Sequence, residues 1–389
     1  MFIDQQVAQK IVDRAMKIIQ YNVNVMNHLG EIVGSGDQQR IGLFHTGALD
    51  VLDRKKEVDF DRRQADALSG VQQGINLPIV CNGEIIGVVG ITGMPSEVSK
   101  YADLVVMTSE LMVEQAALSA QVQWDKRQLE NVICRLIQGD IEKSSLFDDR
   151  IERLKIDLSI PRVAVIIDVS DADTQQDLPL ATLQSMLRML DSNAAYKLLA
   201  ISCPTQIVIL MPVTVQQSCW DEWSAKIQLE SLCQLLAKQY HLHYKVSMGQ
   251  YFPDIAGLAK SYQSALQILA AGKLSLPEQV LYFPDAAALD VLLKSQLSSW
   301  SADKLLVNYQ LLVAADKKAV LLNTLAVYFQ HSADFGKTAN ALHIHRNTLR
   351  YRLDRIDQIL NIQLANIDDL LRLYLAFKLA NMQVSKQLH

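Results

Sequence analysis

The chain of 389 residues has little of what marks secreted, membrane-embedded or metal-dependent proteins. Its five cysteines, Cys81, Cys134, Cys203, Cys219 and Cys233, are odd in number and show no metal-ligand spacing. Neither a disulfide framework nor a structural zinc module fits them, and they predict buried thiols in a reducing cytoplasm. The first helical turns carry Asp4, Lys10, Asp13 and Arg14, which does not resemble a signal peptide. The most apolar window, Leu198 to Val215, is interrupted by Ser202, Pro204, Gln206 and Pro212. It predicts two buried strands around a turn rather than a membrane span. Low-complexity segments and short tandem repeats are missing. So are a nucleophile elbow, a phosphate loop and a His-Glu-x-x-His spacing, so neither an enzyme nor a cofactor is expected. What remains is ordinary globular composition, 50% hydrophobic and 20% charged, in a chain long enough for two or three domains.

The most informative stretch lies near the C-terminal end, Gly336 to Leu353. It predicts a short helix, a tight turn and a second helix. Ala339 is small where two helices cross, Leu342 and Ile344 bracket the turn, and Leu349, Leu353, Ile356 and Leu360 repeat at helical spacing. The opposite face of the second helix carries Arg346, Asn347, Arg350 and Tyr351, flanked by Arg352 and Arg355. Residues 336–360 hold five Lys or Arg against two Asp, a net +3 in a chain of net −5. A helix-turn-helix needs this division, because its second helix enters the DNA major groove with its N-terminal residues on base edges. Arg suits guanine and Asn suits adenine. Lys337, Thr338, His345 and Thr348 complete the candidate DNA-contacting set. The same composition also fits a solvated basic helix, or one that meets an acidic partner. His343 stands where a turn glycine is usual, and His tolerates a left-handed backbone better than most residues.

Read in order, residues 4–21 predict an amphipathic helix with Val7, Ile11, Ala15 and Ile18 on one stripe. Residues 22–36 read as strand, Gly-containing turn and strand. A polar helical region (40–49), a charged stretch (53–66) and a second hairpin (74–91) follow. Asn82-Gly83 is a strong hairpin-turn signal. A long helical stretch, 97–138, carries Leu104, Leu111 and Leu118. It fits a dimer seam or signalling linker as well as a helix packed on its own domain. Helix, hairpin, helical loop, hairpin and closing helix is the order of a PAS-like sensor, by analogy of element order alone. Beyond Pro161 come a buried strand (162–169), a helix (181–191), the 198–213 hairpin, a helix (219–239), a strand (244–248) and helices through 254–274. This β-α-β-β-α-β order predicts an antiparallel α+β sandwich. Residues 285–314 are mostly helical, 318–330 is the helix before the helix-turn-helix, and 367–382 closes the chain.

Three segments of the chain carry a family resemblance. Ile344-His345-Arg346-Asn347-Thr348-Leu349 with Tyr351-Arg352-Leu353 resembles the helix-turn-helix of PucR-type regulators. Ser35-Gly36-Asp37 with Arg40-Ile41-Gly42, and Gly70-Val71-Gln72-Gln73-Gly74-Ile75-Asn76-Leu77-Pro78, resemble the sugar-diacid recognition domain. Val246-Ser247-Met248-Gly249 is similar to a middle domain related in fold to GGDEF cyclases. Together they resemble the carbohydrate-diacid regulators along essentially the whole chain. The resemblance implies an α+β multidomain fold: a PAS-like sensor with closing helix (1–138), a degenerate GGDEF-like α+β domain (139–290) and an all-α helix-turn-helix domain (291–389).

It further implies a cytoplasmic, ligand-responsive transcriptional activator that binds double-stranded DNA as a homodimer, without a membrane. Its inducer would be a hydroxy-dicarboxylate or related hydroxy acid, with glucarate, galactarate and glycerate expected. Such an anion needs fixed positive charge and several donors in a partly dry pocket. Ser35, Gly36, Arg40, His45, Gly74 and Asn76 are the candidate ligand residues. Arg40 also fits a surface ion pair, His45 a cap or core histidine, and the glycines turns and close packing. The turn Ser202-Cys203-Pro204-Thr205-Gln206 lacks the carboxylates a cyclase needs for metal, so no cyclase activity is expected. The alternative from another class is a metabolic enzyme acting on a hydroxy diacid with a regulatory basic tail.

Overall fold

A computed structural model describes residues 3–66, 68, 71–140, 145–169, 180–193, 196–216, 219–240 and 242–388. Gly70 of the recognition motif lies outside them. The chain forms two compact units, residues 1–127 and 128–389. No helix among the described residues is long and apolar enough to cross a membrane.

The first unit opens with α1, Gln5–Ile19, capped by Asp4, whose carboxylate accepts from Val7 N–H at 2.7 Å. Its buried stripe is Ala8, Ile11, Val12, Ala15 and Ile19. Ile18 is 59% exposed, and the buried face runs to Ile19 instead, before the chain turns left-handed at Gln20 (φ 61°). Strands β1 (Val23–Asn27) and β2 (Ile32–Ser35) form the first hairpin. A 3-10 turn at Gln38–Arg40 leads to α2, Thr46–Arg54. The charged stretch then contains a short strand, β3 (Val58–Phe60), and α3 (Arg62–Asp66). The strand escapes a reading by periodicity because only Phe60 of its three residues is buried. Strands β4 (Gly74–Cys81) and β5 (Glu84–Thr92) turn at Asn82 (φ 51°) and Gly83 (φ 80°), the paired left-handed conformation of a two-residue hairpin. Helix α4, Pro95–Gln138, follows.

The five strands make one antiparallel sheet in the order β2-β1-β5-β4-β3. Side chains alternate across a pleated sheet, and here they divide cleanly. Val23, Val25, Ile75, Leu77, Ile79, Val89 and Ile91 join α1 and α4 in one core. The other face places Met26, Ile32 and Val88 against Ala48 and Val51 of α2.

The second unit starts with the end of α4, whose Val132, Ile133, Leu136 and Ile137 pack with Phe147 of α5 (Ser145–Arg153). Strand β6 (Arg162–Val169) is buried on both faces, with α6 (Leu180–Asp191) following it. The β7 (Leu199–Cys203) and β8 (Gln206–Pro212) hairpin is next. A two-stranded ribbon, β9 (Val215–Gln216) and β10 (Cys219–Trp220), precedes α7, Glu222–Gln239. That helix begins three residues later than periodicity suggests, where Asp221 accepts from Ser224 N–H at 3.0 Å. Strand β11 (Tyr244–Met248), α8 (Ala256–Ser275) and β12 (Leu281–Tyr282) complete a mixed sheet ordered β12-β11-β6-β8-β7. Alternate residues of β6 face α6 and α7 on one side and α4, α5 and α8 on the other.

The rest is helical: α9 (Pro284–Gln296), α10 (Trp300–Ala315), α11 (Val320–Gln330), α12 (Phe335–Ala341), α13 (Arg346–Leu360) and α14 (Ile367–Leu388). Leu349, Leu353, Ile356 and Leu360 of α13 meet Leu312, Leu325, Tyr328, Ala339 and Leu373 in a single core.

Candidate ligand cluster and candidate nucleic-acid interface

The segment from Arg40 to His45 is held by backbone before any side chain acts. Ile32 N–H donates to Leu43 O at 3.0 Å, Gly42 N–H to Ile32 O at 2.9 Å and His45 N–H to Gly30 O at 2.9 Å. Upstream, Ser35 Oγ accepts from Asp37 N–H at 3.0 Å, and Asp37 caps the 3-10 turn that ends on Arg40. These bonds place Arg40 and His45 at the α2 end of the first sheet. Ser35, Arg40, His45 and Asn76 are all buried, at 0%, 8%, 3% and 4% exposure.

Arg40 Nη1 donates to Gln72 Oε1 at 3.1 Å, and Thr92 Oγ1 bonds the same oxygen at 3.4 Å. Burial lowers the Arg40 pKa, partly opposed by Asp37. His45 is pushed down to about 4, by burial first and the Arg40 charge second. The cluster thus sets a neutral imidazole beside a buried guanidinium. His45 Nδ1 is buried without a hydrogen-bond partner among the described residues. His45 is the N-cap of α2, yet its side chain makes no capping bond.

Asn76 reaches across the sheet under the first turn of α2. A Cβ on Gly47 would stand 3.1 Å from its Nδ2, and a Cβ on Gly90 would collide with its Oδ1. Glycine at both places lets the carboxamide lie there. Sequence reading missed Asn24, which is 2% exposed and accepts the Ser35 hydroxyl on Oδ1 at 2.6 Å. The available signal was alternation: Asn24 stands between Val23 and Val25, polar on the face opposite two buried valines. Gly36 and Gly74 sit differently. Gly36 N–H donates to Val23 O at 3.1 Å, and a Cβ there would strike Asn22 and Met16. A Cβ on Gly74 would strike Ile91 O. Gly74 serves close backbone packing and Gly36 makes room for two side chains, and neither offers a side chain to the cluster.

In the second unit, His345 caps α13, with Nδ1 accepting from Asn347 N–H at 3.2 Å. His343 adopts φ 52°, the left-handed turn conformation that glycine usually fills. Lys337, His345, Arg346, Asn347, Thr348, Arg350 and Tyr351 are exposed, Tyr351 at 70%. Two candidates point elsewhere. Thr338 is fully buried, its hydroxyl donating to Asp334 O at 2.6 Å, because it faces the crossing of α11 and α12. Arg352 is half-buried and donates from Nη1 to Thr324 Oγ1 at 3.1 Å. The exposed basic face is therefore narrower than the sequence suggests.

Beside the β7–β8 turn, Asp168 is 3% exposed, and its two oxygens go to Gln206 Nε2 at 2.8 Å and to Lys273 Nζ. A lysine ammonium and an amide occupy this carboxylate.

Comparison with known proteins divides the chain into three matches. Residues 3–136 match the family described as "Putative sugar diacid recognition". Residues 138–271 match the GGDEF-like domain, and residues 321–379 the PucR C-terminal helix-turn-helix domain. The carbohydrate diacid regulator of Escherichia coli (strain K12) is 40% identical over 97% of this chain and 98% of its own. An uncharacterized protein of Haemophilus influenzae is 36% identical over 96% of this chain and 98% of its own. The purine catabolism regulatory protein of Bacillus subtilis is 36% identical, over 16% of this chain and 12% of its own.

Proposed function

The chain belongs to the carbohydrate diacid regulator family, and from that premise we propose a DNA-binding transcriptional activator switched by a hydroxy acid. It is a regulator rather than an enzyme. Its targets are genes for uptake and catabolism of sugar diacids such as glucarate and galactarate, or of glycerate. Residues 1–138 act as sensor, 139–290 as a degenerate GGDEF-like domain and 291–389 as the DNA-binding domain. The sheet order β2-β1-β5-β4-β3, with α2 over one face, supports a PAS-like sensor.

One observation carries the DNA half: Arg346, Asn347, Arg350 and Tyr351 are exposed on α13 while Leu349, Leu353, Ile356 and Leu360 are buried. The start of the helix thus presents two guanidiniums and a carboxamide to a groove. The ligand half is supported by Arg40, buried beside a neutral His45 whose Nδ1 has no partner among the described residues. Arg40 meets one carboxylate of the acid, and Ser35, His45 and Asn76 hold its other oxygens. A homodimer is supported by Leu104, Met107, Leu111 and Leu118 of α4, exposed at the spacing of a coiled-coil seam. A chain that acts on chromosomal DNA is placed in the cytoplasm.

Calorimetry on the full chain with glucarate, galactarate and glycerate tests the sensor, and Arg40→Ala should weaken binding at least tenfold. Selection of DNA from a random pool, followed by a salt titration, tests the other half. Wild type that binds no such acid at millimolar concentration, or no DNA with a salt-dependent affinity, would reject the corresponding half.

A further inference from the structure

Three parallel rows cross the α2 face of the first sheet. The outermost pairs Gly74 with Thr92, beside the Gln72 that holds Arg40. The innermost, Met26 with Val88 and Ile32, is the apolar floor under α2. Between them runs Ser35–Asn24–Gly90–Asn76, one residue from each of β2, β1, β5 and β4. Residues opposite one another in an antiparallel ladder project to the same face, so both asparagines share it with α2. Asn24 and Asn76 are 2% and 4% exposed.

Their hydrogen bonding is incomplete. Asn24 uses its Oδ1 for the Ser35 hydroxyl, and its two N–H donors have no partner among the described residues. Neither end of the Asn76 carboxamide has one. Buried polar side chains are nearly always satisfied in native proteins. His45 Nδ1 is fully buried without a partner among the described residues, whereas the free carboxamide atoms of the row keep some accessible surface, so a guest can reach them.

We propose that Asn24 and Asn76 read two separate hydroxyl groups of one polyhydroxy acid, and so select acids long enough to reach both. The inference rests on the hydroxy-acid reading of the Arg40 cluster and adds Asn24 to it. A carboxamide offers a donor and an acceptor, which matches a hydroxyl that does both. The two backbones are two strand spacings apart, on the order of 10 Å, and the Asn76 carboxamide leans across Gly90, the residue between them. A three-carbon acid anchored at Arg40 reaches one amide at a time. A six-carbon aldaric acid is long enough to reach both. Any side chain at Gly90 would displace Asn76 and close that span.

The test is calorimetry on the full-length protein with glucarate, galactarate, tartrate and glycerate at one pH. Wild type should bind the six-carbon acids at least about tenfold more tightly than glycerate, since a polar site discriminates strongly against ligands that leave it unpaired. Asn24→Ala should lower affinity for the six-carbon acids about tenfold or more and for glycerate less than about threefold. Gly90→Ala should narrow the same ratio. Should Asn24→Ala fail to fold by circular dichroism, Asn24→Ser answers the same question. Wild type that binds acids with no preference for length, or an Asn24 variant that weakens all four equally, overturns the inference and leaves the Arg40 site standing. Wild type that binds none of them overturns the site and this inference together.

Discussion

The side-chain carboxamide of Gln9 pairs with the backbone of Ser35 much as a neighbouring strand would. Its Nε2 donates to Ser35 O and its Oε1 accepts from Ser35 N–H, each at 3.2 Å. Strand β2 is the edge of the first sheet, where backbone groups otherwise face water or another chain. Helix α1 thereby fixes the residue whose hydroxyl bonds Asn24.

Removing that pair should loosen the sheet edge. Gln9→Ala is expected to cost about 1–2 kcal/mol, two part-buried hydrogen bonds at roughly the usual net value. Gln9→Glu should cost more, because a carboxylate keeps the acceptor but sets a second acceptor against Ser35 O. Urea unfolding of both variants at neutral pH measures the difference. Equal stability of Gln9→Ala and wild type would show that the pair contributes nothing.

The Asp168–Lys273 contact gives a second prediction. Lys273→Met leaves a carboxylate that is 4% exposed without its cation. Breaking a buried pair costs several kcal/mol, but the Lys273 side chain is 38% exposed and water screens part of the interaction. The expected loss is about 2–3 kcal/mol by the same reasoning. Adding Asp168→Asn should recover much of it, since an amide at 168 can still accept from Gln206. Denaturant unfolding of the single and double variants decides; a double variant no more stable than Lys273→Met refutes the account.

Where chemistry and local geometry coincide, the sequence was a good guide. Asn82-Gly83 announces its turn, Arg162 to Val169 its buried strand, and His343 its left-handed backbone. These depend on a few adjacent residues. Side-chain destination depends on which face of a helix is packed, and the local pattern does not show that. Thr338 and Arg352 lie in a basic, polar stretch but turn inward, because Asp334 O and Thr324 Oγ1 await them. Asn24 lies inside strand β1, and its own neighbours in sequence do not show its place in the row. Only the pairing of three strands places it in line with Asn76. Strand β3 is too short to show a period.

His45 makes stability depend on pH. Its folded pKa of about 4 lies below the ordinary value near 6.5. Between these values the unfolded chain binds more protons than the folded one, so stability rises with pH across that window. The contribution is complete above pH 6.5 and is lost as pH falls toward 4, by at most about 3 kcal/mol. His45→Gln should lose less stability than wild type between pH 7 and pH 4.5. Binding an anion beside His45 favours its charged form, so ligand uptake should carry protons with it below neutral pH. Unfolding midpoints at several pH values check the first expectation, and calorimetry in buffers of different ionisation enthalpy checks the second.

Arg350 and Arg352 are two residues apart on α13 and should fail in different assays. Arg350 is exposed and free to meet a base edge or phosphate, so Arg350→Ala should weaken specific DNA binding by about 1–3 kcal/mol. Its folding stability should stay within about 0.5 kcal/mol of wild type, as at an ordinary surface position. Arg352 donates to Thr324 Oγ1 and is half-buried against α11. Arg352→Ala should therefore cost about 1.5–3 kcal/mol of stability, the net value of a hydrogen bond with one charged partner. At temperatures where that variant is fully folded, its DNA affinity should be close to wild type. Fluorescence anisotropy with a selected DNA site, paired with thermal unfolding, separates the two residues. A large loss of affinity in the folded Arg352 variant, with none in Arg350→Ala, would mean that α13 presents a different face to DNA.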